Sequence, residues 1–349
     1  MPRKILLVLL LCMFTGLLTH AQSEARYGLI YIQEVDGQGE IILSTIDGVD
    51  WIDVTNTVPD SFAPVWAPDG SAFAFVGQTE DYLYEIYSVE FNTGIVTQIT
   101  DLGWYSSMPA YSPDGTQIAF ASSQDGTALG NFDIYVIDVD GENLRQITDY
   151  DASETEPQWS PDGSQIAYTI EFEDFSRDLW ITDLNEGNRV NLTEFRVEGG
   201  LNERAPRWSP DGEWMIFVSA RSGMSFLGTL DIAGSDYFLY PGPEGATQVS
   251  NPSWSSDGTS ILLEVTVDGN TDIYLFQAQS ADYTRLTDDP AFDGDPSWSP
   301  DGSQIAFISE RDGNREVYIM NADGSGQTRV TRTEADESSP LWRPAREVG

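Results

Sequence analysis

Residues 296–307 read PSWSPDGSQIAF, and this stretch decides the fold because close copies of it recur along the chain. Each copy opens with the pattern Pro-x-aromatic. The aromatic residues are Trp66, Tyr111, Trp159, Trp208, Trp254, Trp298 and Trp342, spaced 45, 48, 49, 46, 44 and 44 residues apart. A fixed period of this length is typical of a protein built from repeated supersecondary units.

Each repeat unit is made of strand and turn residues. In Ser299-Pro300-Asp301-Gly302 the proline presets φ at the second position of a tight turn, and the glycine accepts the φ at its end. The runs QIAF (304–307), EVYIM (316–320) and TRVT (328–331) then predict three further strands. Four strands in about 45 residues is the size of one propeller blade, which must stack on neighbours to bury its faces.

The two ends of the chain together predict one more blade. The segments YGLIYIQEV (27–35), EIILSTI (40–46) and WIDVTNT (51–57) correspond to the second, third and fourth strands of a blade without its first, and SSPLWRP (338–344) supplies that strand. The threonines that lie eleven residues before their aromatic support this register: Thr55, Thr100, Thr148, Thr287 and Thr331. We therefore predict an all-β, seven-bladed β-propeller with four-stranded antiparallel blades, closed by pairing of the C-terminal strand with the N-terminal strands.

The fourth repeat departs from the pattern between residues 221 and 250. The eleven-residue spacing places its fourth strand near YFLYP (237–241). Matching TQVS (247–250) to the usual fourth strand would instead leave almost no loop before the next unit. The spacing favours the first placement.

The first 21 residues predict a secretory signal. A basic pair, Arg3 and Lys4, precedes an apolar run over residues 5–18 and a small-residue cleavage pattern that ends at Ala21. We expect a single propeller domain over residues 22–349, secreted or periplasmic, with membrane contact only if the signal stays uncleaved. Cleavage would remove Cys12 and His20, the chain's only cysteine and histidine, so disulfides, thiol nucleophiles and imidazole catalysis are excluded from the mature chain.

The charge is strongly negative. The mature chain would carry 15 arginines against 57 acidic residues, or −42. Such a field repels nucleic acid and anionic membranes and attracts cationic partners or calcium. The alternative explanation of the charge is adaptation of the protein to high salt. It is favoured because the acidic residues are spread along the chain. The segment DVDGEN (138–143) begins like a calcium loop but lacks the final glutamate, so a plain turn is favoured and we expect no cofactor.

The phrase WSPDGSQIAF, followed by IYVID or VYIMNADG and then by RQIT or RLT, resembles the WD-repeat-like propeller unit of TolB-type proteins over residues 62–344. The resemblance implies a binding propeller in the cell envelope. It also implies that loops entering the innermost strands gather on one face around a central channel. The same unit is similar to the propeller of prolyl-oligopeptidase-type peptidases, but the G-x-S-x-G motif of their hydrolase domain is absent here.

Two of these entering loops, DLGWYSS (101–107) and DDPAFDGD (288–295), combine acids with aromatic residues. Their candidate binding residues are Trp104, Tyr105, Phe292, Asp293 and Asp295, and Tyr150 and Phe195 occupy similar loops. Aromatic anchors with a charged rim suit a protein or peptide partner, including a cationic one. The alternative is that each ring folds over its own blade edge.

Arginines concentrate in one part of the chain: Arg177, Arg189, Arg196, Arg204, Arg207 and Arg221. Guanidinium groups bind carboxylates and phosphates bidentately, which makes Arg204 and Arg207 candidate ligand residues. Neutralisation of neighbouring acids is the favoured alternative.

The sequence supports two functions. The first is a binding propeller that performs no chemistry. The second is a carboxylate-based glycan-active enzyme, a hydrolase or lyase, with its site at the channel mouth, because such catalysis needs only paired acids and in some cases a metal. A glycosidase would show two inward carboxyl groups about 5 to 9.5 Å apart.

Overall fold

The protein folds into seven four-stranded antiparallel sheets, so the predicted seven-bladed propeller is confirmed. The computed structural model describes residues 27–123, 130–194, 202–234 and 236–345, and the predicted signal lies outside these ranges. All regular elements of the described residues are strands. These ranges hold no helix of the length and hydrophobicity that a membrane span requires.

The strands follow one another as successive blades. The closing blade begins with β1 (Tyr27–Val35), β2 (Gln38–Thr45) and β3 (Trp51–Asp53). Blade 1 holds β4 (Phe62–Trp66), β5 (Ala72–Gln78), β6 (Tyr84–Glu90) and β7 (Val96–Gln98). Blade 2 holds β8 (Tyr105–Tyr111), β9 (Gln117–Ser123), β10 (Phe132–Asp138) and β11 (Arg145–Gln146). Blade 3 holds β12 (Ser153–Trp159), β13 (Gln165–Glu171), β14 (Arg177–Asp183) and β15 (Arg189–Asn191).

The remaining blades have the same composition. Blade 4 holds β16 (Glu203–Trp208), β17 (Trp214–Arg221), β18 (Met224–Asp231) and β19 (Tyr237–Tyr240). Blade 5 holds β20 (Ala246–Trp254), β21 (Ser260–Val267), β22 (Asn270–Gln277) and β23 (Asp282–Arg285). Blade 6 holds β24 (Asp293–Trp298), β25 (Gln304–Ser309), β26 (Glu316–Asn321) and β27 (Thr328–Arg329), and β28 (Asp336–Trp342) completes the closing blade.

The closing blade joins the two ends of the chain as predicted. Strand β28 pairs antiparallel with β1, with Trp342 opposite Leu29 and Leu341 opposite Ile30. Ile30 and Leu341 pack into the core shared with blade 1. Tyr31 and Trp342 pack on the other side, against blade 6. The ring therefore buries both faces of this blade.

Every innermost strand contains the same irregularity. The residue just before the proline of the Pro-x-aromatic phrase has a positive φ, between 46° and 58°. These residues are Ala63, Met108, Glu156, Ala205, Asn251, Asp295 and Ser339. The ladder to the second strand shifts register at this position in the six blades that are continuous in sequence. Each innermost strand thus carries a β-bulge that bends it beside the channel.

The fourth repeat follows the predicted placement. Its outermost strand is β19, which contains YFLY, and TQVS belongs to β20, the first strand of the next blade. The spacing argument is confirmed.

Candidate functional site

The loops that enter the innermost strands and the hairpins between second and third strands lie at the same end of every blade, because the four strands are antiparallel. We call this end of the ring the channel face. Innermost strands of neighbouring blades contact one another from blade 1 through blade 6 to the closing blade, and β1 and β2 of the closing blade contact β4 of blade 1. The first residues of these strands therefore surround the mouth of the channel.

Four innermost strands carry, at or next to their first residue, an acidic side chain without exposed surface: Glu154, Glu203, Asp293 and Glu337. A buried carboxylate is stable only when it is paired, hydrogen-bonded or protonated. The partners of these four groups therefore decide whether they are available for binding or chemistry.

Asp293 and Glu203 are engaged by arginines in equivalent places. Arg311 Nη2 donates to both oxygens of Asp293, at 3.0 and 2.9 Å. Arg221 Nη2 donates to Glu203 Oε1 at 3.0 Å, and the Tyr237 hydroxyl donates to the same oxygen at 2.7 Å. Burial raises the pKa of Glu203, while Tyr237 and Arg221 act in the opposite direction. Both acids hold the ends of their own blades together.

Glu154 of blade 3 lies against Asp133 of blade 2. Burial, followed by the hydrogen bond to Asp133, raises the pKa of Glu154 to about 9. The pKa of Asp133 is also raised by burial, and the bond from Glu154 opposes that shift. Glu154 therefore keeps its proton at neutral pH, since ionising it would place a second negative charge beside Asp133 in a buried site.

Glu337 of the closing strand has a similar environment. Its carboxyl oxygens accept bonds from Thr333 Oγ1 at 2.7 Å and Gln33 Nε2 at 3.1 Å. Burial raises its pKa to about 7, those two bonds oppose the shift, and the charge of Glu316 adds to it. This acid links β28 to both β1 and blade 6.

Tyr105, a predicted binding residue, lies in a row of aromatic rings on the channel face. Its ring is 5.1 Å from that of Tyr84 and 5.9 Å from that of Phe132, and Tyr84 lies 5.3 Å from Phe62. We call Phe62, Tyr84 and Tyr105, all half-buried, the aromatic row. The Tyr84 hydroxyl donates to the half-buried carboxylate of Asp60. The row thus presents partial ring surface beside an acid.

Trp104, the neighbouring predicted residue, is half-buried and packs at 5.7 Å on the ring of Tyr135 in its own blade. It therefore combines the two arrangements that the sequence left open, because part of its ring covers the blade edge and part stays accessible.

Phe292 and Asp295 flank Asp293 at the entry to blade 6. The guanidinium of Arg315 lies 5.2 Å above the Phe292 ring. The Asp295 carboxylate accepts the backbone N–H of Ser339 in the closing blade, at 3.3 Å. These contacts hold both residues at the channel mouth, where each remains half-buried.

Arg204 and Arg207 lie half-buried on β16. Arg207 Nη1 donates to the Pro206 carbonyl at 2.9 Å. Burial lowers the pKa of Arg207, and the nearby charge of Glu156 opposes that shift. Among the described residues, neither guanidinium lies within 4.0 Å of a carboxylate.

Three other arginines of the predicted group do pair with acids: Arg177 with Glu171, Arg189 with Asp149, and Arg221 with Glu203. The favoured neutralising role therefore describes these three. Arg196, like Phe195, lies outside the described residues.

The candidate residues occupy three separate places, on blades 2, 4 and 6. Trp104 adjoins Tyr105, Arg204 lies near Arg207, and Phe292, Asp293 and Asp295 share one loop and strand. Within the described ranges, no hydrogen bond or ring contact joins one group to another. The structure thus offers several small surfaces around the mouth.

Two carboxylates in the channel wall escaped the sequence analysis. Glu156 accepts the N–H of Ala205, in the next blade, at 2.7 Å. Glu264 accepts bonds from Asn251 Nδ2 at 2.8 Å and from the N–H of Asp295 at 2.7 Å. The position of Glu156 before Pro157 could have identified it, but Glu264 has no comparable signal. Each of these carboxylates therefore links the β-bulge of one blade to the β-bulge of the next.

The described part of the chain contains no group of three or more acidic, histidine or cysteine residues suited to a metal ion. The DVDGEN segment forms the turn between β10 and β11. There the Glu142 N–H donates to Asp140 at 2.9 Å, and Asn143 Nδ2 donates to Asp138 at 2.6 Å. Its acids therefore accept bonds from the turn itself.

Comparison with known proteins agrees with this architecture. A family model described as the TolB beta propeller domain matches residues 128–237 and 244–348, together more than half of the chain. The Tol-Pal system protein TolB of Francisella tularensis is 34% identical over 101 residues, 29% of this chain and 21% of that protein. An uncharacterised protein of Agrobacterium fabrum is 37% identical over 73 residues, 21% of this chain and 24% of its own length. The chain thus matches a fifth to a quarter of these relatives.

Solved structures show the same fold at lower identity. TolB from Acinetobacter baumannii superposes with a TM-score of 0.57 at 17% identity, covering 94% of this chain and 86% of that one. An oligogalacturonate lyase from Vibrio parahaemolyticus gives a TM-score of 0.68 at 17% identity, covering 84% and 86%. On the match of the family model, supported by the repeat and the ring, the chain belongs to the TolB beta propeller domain family.

Proposed function

We propose that this protein is a binding scaffold that recognises a protein or peptide partner on its channel face, in the cell envelope or outside the cell, without catalysing a reaction. One observation carries the proposal. The acids at the channel mouth are bonded within the protein, as Asp293 is by Arg311 and Glu203 by Arg221, whereas the aromatic row keeps ring surface open to solvent.

Physical considerations favour recognition by the aromatic row. Rings held by contacts with neighbouring rings lose little side-chain freedom on binding, so they serve as preformed anchors. The half-buried Asp60 beside Tyr84 gives the row a polar rim. Similarity to a protein of the Tol-Pal system supports a location in the envelope.

The test compares two variants of the full chain. Tyr105→Ser removes a ring from the aromatic row, and Phe238→Ser removes an exposed ring from the outermost strand β19 as a matched control. Each immobilised protein is incubated with envelope and culture fractions of the producing cells, and retained proteins are quantified. We expect the wild type and Phe238→Ser to retain the same partner and Tyr105→Ser to lose it.

A different result would contradict the proposal. If no partner is retained, and the wild type instead cleaves a member of a glycan panel in a reaction abolished by Asp295→Asn, the carboxylate enzyme is the correct function. Asp295 is the variant of choice because its half-buried carboxylate lies at the channel mouth.

A further inference from the structure

The hairpins between second and third strands share one turn bond in blades 1, 3 and 6. In each, the fourth residue donates its N–H to the carbonyl of the first. The bonds run from Tyr82 to Thr79 at 3.0 Å, from Phe175 to Phe172 at 2.9 Å, and from Gly313 to Glu310 at 3.0 Å. The hairpins of blades 1 and 3 each place five residues between paired strand ends and are equivalent residue by residue, whereas the hairpin of blade 6 is one residue longer.

The fourth position of this loop is suited to glycine. Its φ is +106° at Gly313, +61° at Tyr82 and +64° at Phe175. A three-residue hairpin loop of this kind ends in a left-handed residue, a conformation that glycine adopts freely and that bulky side chains disfavour. Blades 1 and 3 thus carry an aromatic residue at the position where blade 6 carries glycine. The aromatic side chain strains the backbone there.

Burial of the two rings does not offset that backbone strain. Tyr82 is 80% exposed and Phe175 is 75% exposed. Packing within the protein therefore does not explain their presence at this position. A contact with another molecule would.

Both rings follow the same pair of acids. Glu80-Asp81 precedes Tyr82 and Glu173-Asp174 precedes Phe175, and all four acidic residues are exposed. Within the described ranges none of the four lies in an ion pair. Each loop therefore presents two carboxylates and one aromatic ring to solvent.

The protein itself shows which chemistry such a pairing binds. Asp149 and Tyr150, an acid followed by an aromatic residue, hold the side chain of Arg189. Its Nη1 donates to Asp149 at 2.9 Å, and its guanidinium lies 5.1 Å from the centre of the Tyr150 ring. A guanidinium thus satisfies the carboxylate and the negative face of the ring at once.

We propose that the hairpins of blades 1 and 3 bind arginine side chains of a basic polypeptide partner, with Tyr82 and Phe175 supplying the rings. This inference rests on the proposed binding role and adds the charge of the partner. The formal net charge of −40 complements such a segment over the whole molecule. Both hairpins lie on the channel face, so one partner would meet them together with the aromatic row.

The test uses a fluorescein-labelled oligoarginine peptide and fluorescence anisotropy at physiological ionic strength. Tyr82→Gly and Phe175→Gly remove the rings, leave every charge in place and relieve the backbone strain, so these variants should unfold no more easily than the wild type. We expect affinity to fall about threefold for each single variant and about tenfold for the double variant, since each lost contact is an exposed cation–π interaction.

Controls separate this effect from general attraction to an acidic protein. Phe238→Ala removes an exposed ring from β19 and should leave affinity unchanged. Wild-type affinity in the double variant, or no binding of oligoarginine to the wild type, would overturn the inference. Because the binding role is tested by Tyr105→Ser with a cellular partner, either of these results alone would leave that role standing.

Discussion

Glu154 shows how one residue can make this acidic protein sensitive to pH. Its carboxyl has no exposed surface and adjoins Asp133 of the neighbouring blade. Two charged carboxylates cannot share such a site, so one of them keeps its proton. At the interface between blades 2 and 3, Glu154 is therefore the carboxyl group that stays neutral.

We predict that stability falls as pH rises through the range in which Glu154 loses its proton. Its pKa is raised from 4.5 to about 9 on folding, so between these values the folded state binds more protons than the unfolded state. The stabilisation is complete below pH 4.5 and is lost as pH rises through about 9. Urea unfolding measured across this range should show a shallower decline for Glu154→Gln, whose side chain is always neutral.

The exposed residue Glu173 provides the control for this prediction. Glu173→Gln should keep the pH dependence of the wild type, because the Glu173 side chain is exposed and is not part of the buried pair. Identical pH slopes for wild type and Glu154→Gln would show that the buried pair does not bind a proton on folding.

At the scale of the secondary-structure elements, a threonine bonds the end of the outermost strand to the third strand in every blade except blade 4. Its Oγ1 accepts the N–H of a third-strand residue that lies 14 positions earlier, as in Thr287 with Ile273 at 3.0 Å and Thr331 with Val317 at 2.8 Å. The same bond is made by Thr55, Thr100, Thr148 and Thr193. It satisfies an N–H that the short fourth strand leaves unpaired.

Replacing this hydroxyl by a methyl group should be costly. Thr287 is 1% exposed, so Thr287→Val keeps the shape but leaves the Ile273 N–H without its acceptor. We expect a loss of about 1–3 kcal/mol in the free energy of unfolding, measured by urea denaturation. Thr284→Val, on the partly exposed strand β23, should change stability much less. Equal effects of the two substitutions would contradict the fastening role.

Much of this element-level structure follows from sequence because each repeat contains its own turn and strand residues. The eleven-residue spacing identified five of the six threonines. It missed Thr193, which lies 15 residues before Trp208 because the loop between them is longer. The distance within a blade is fixed by strand pairing, whereas the distance to the next blade depends on loop length.

The functional surfaces were less predictable because they depend on contacts between distant positions. The sequence placed Asp293 in an acidic loop, but its engagement by Arg311 arises only when β24 and β25 pair. Tyr82 and Phe175 could not be identified from the sequence, because the sequence of a hairpin does not show that its aromatic residue has a positive φ. Residue propensities describe the conformations that a residue type adopts most often, and the positive φ of Tyr82 and Phe175 is an exception to them.

At the scale of the whole molecule, stability depends on closing the ring. Without β28, the β1 edge would be unpaired and the cores shared with blades 1 and 6 would lose Leu341 and Trp342. An unpaired strand edge is also a template for association with other chains. The closing strand therefore protects against aggregation as well as unfolding.

We predict that a chain ending at residue 335 self-associates and exchanges the backbone amides of residues 27–35 rapidly. Adding a synthetic peptide of residues 336–345 should restore slow exchange and the elution volume of the full-length protein, because the peptide can pair with β1. Gel filtration and hydrogen exchange measure both effects. A peptide with serine in place of Leu341 and Trp342 should fail, and slow exchange in the shortened chain without any peptide would contradict the prediction.

The bond between Gln33 and Glu337 spans 304 positions of sequence. Of the described strands, β1 therefore lacks its inner neighbour until β28, the last of them, has been made, and the edge of β1 is unpaired until then. The seven-bladed ring can therefore close only after β28 has been made.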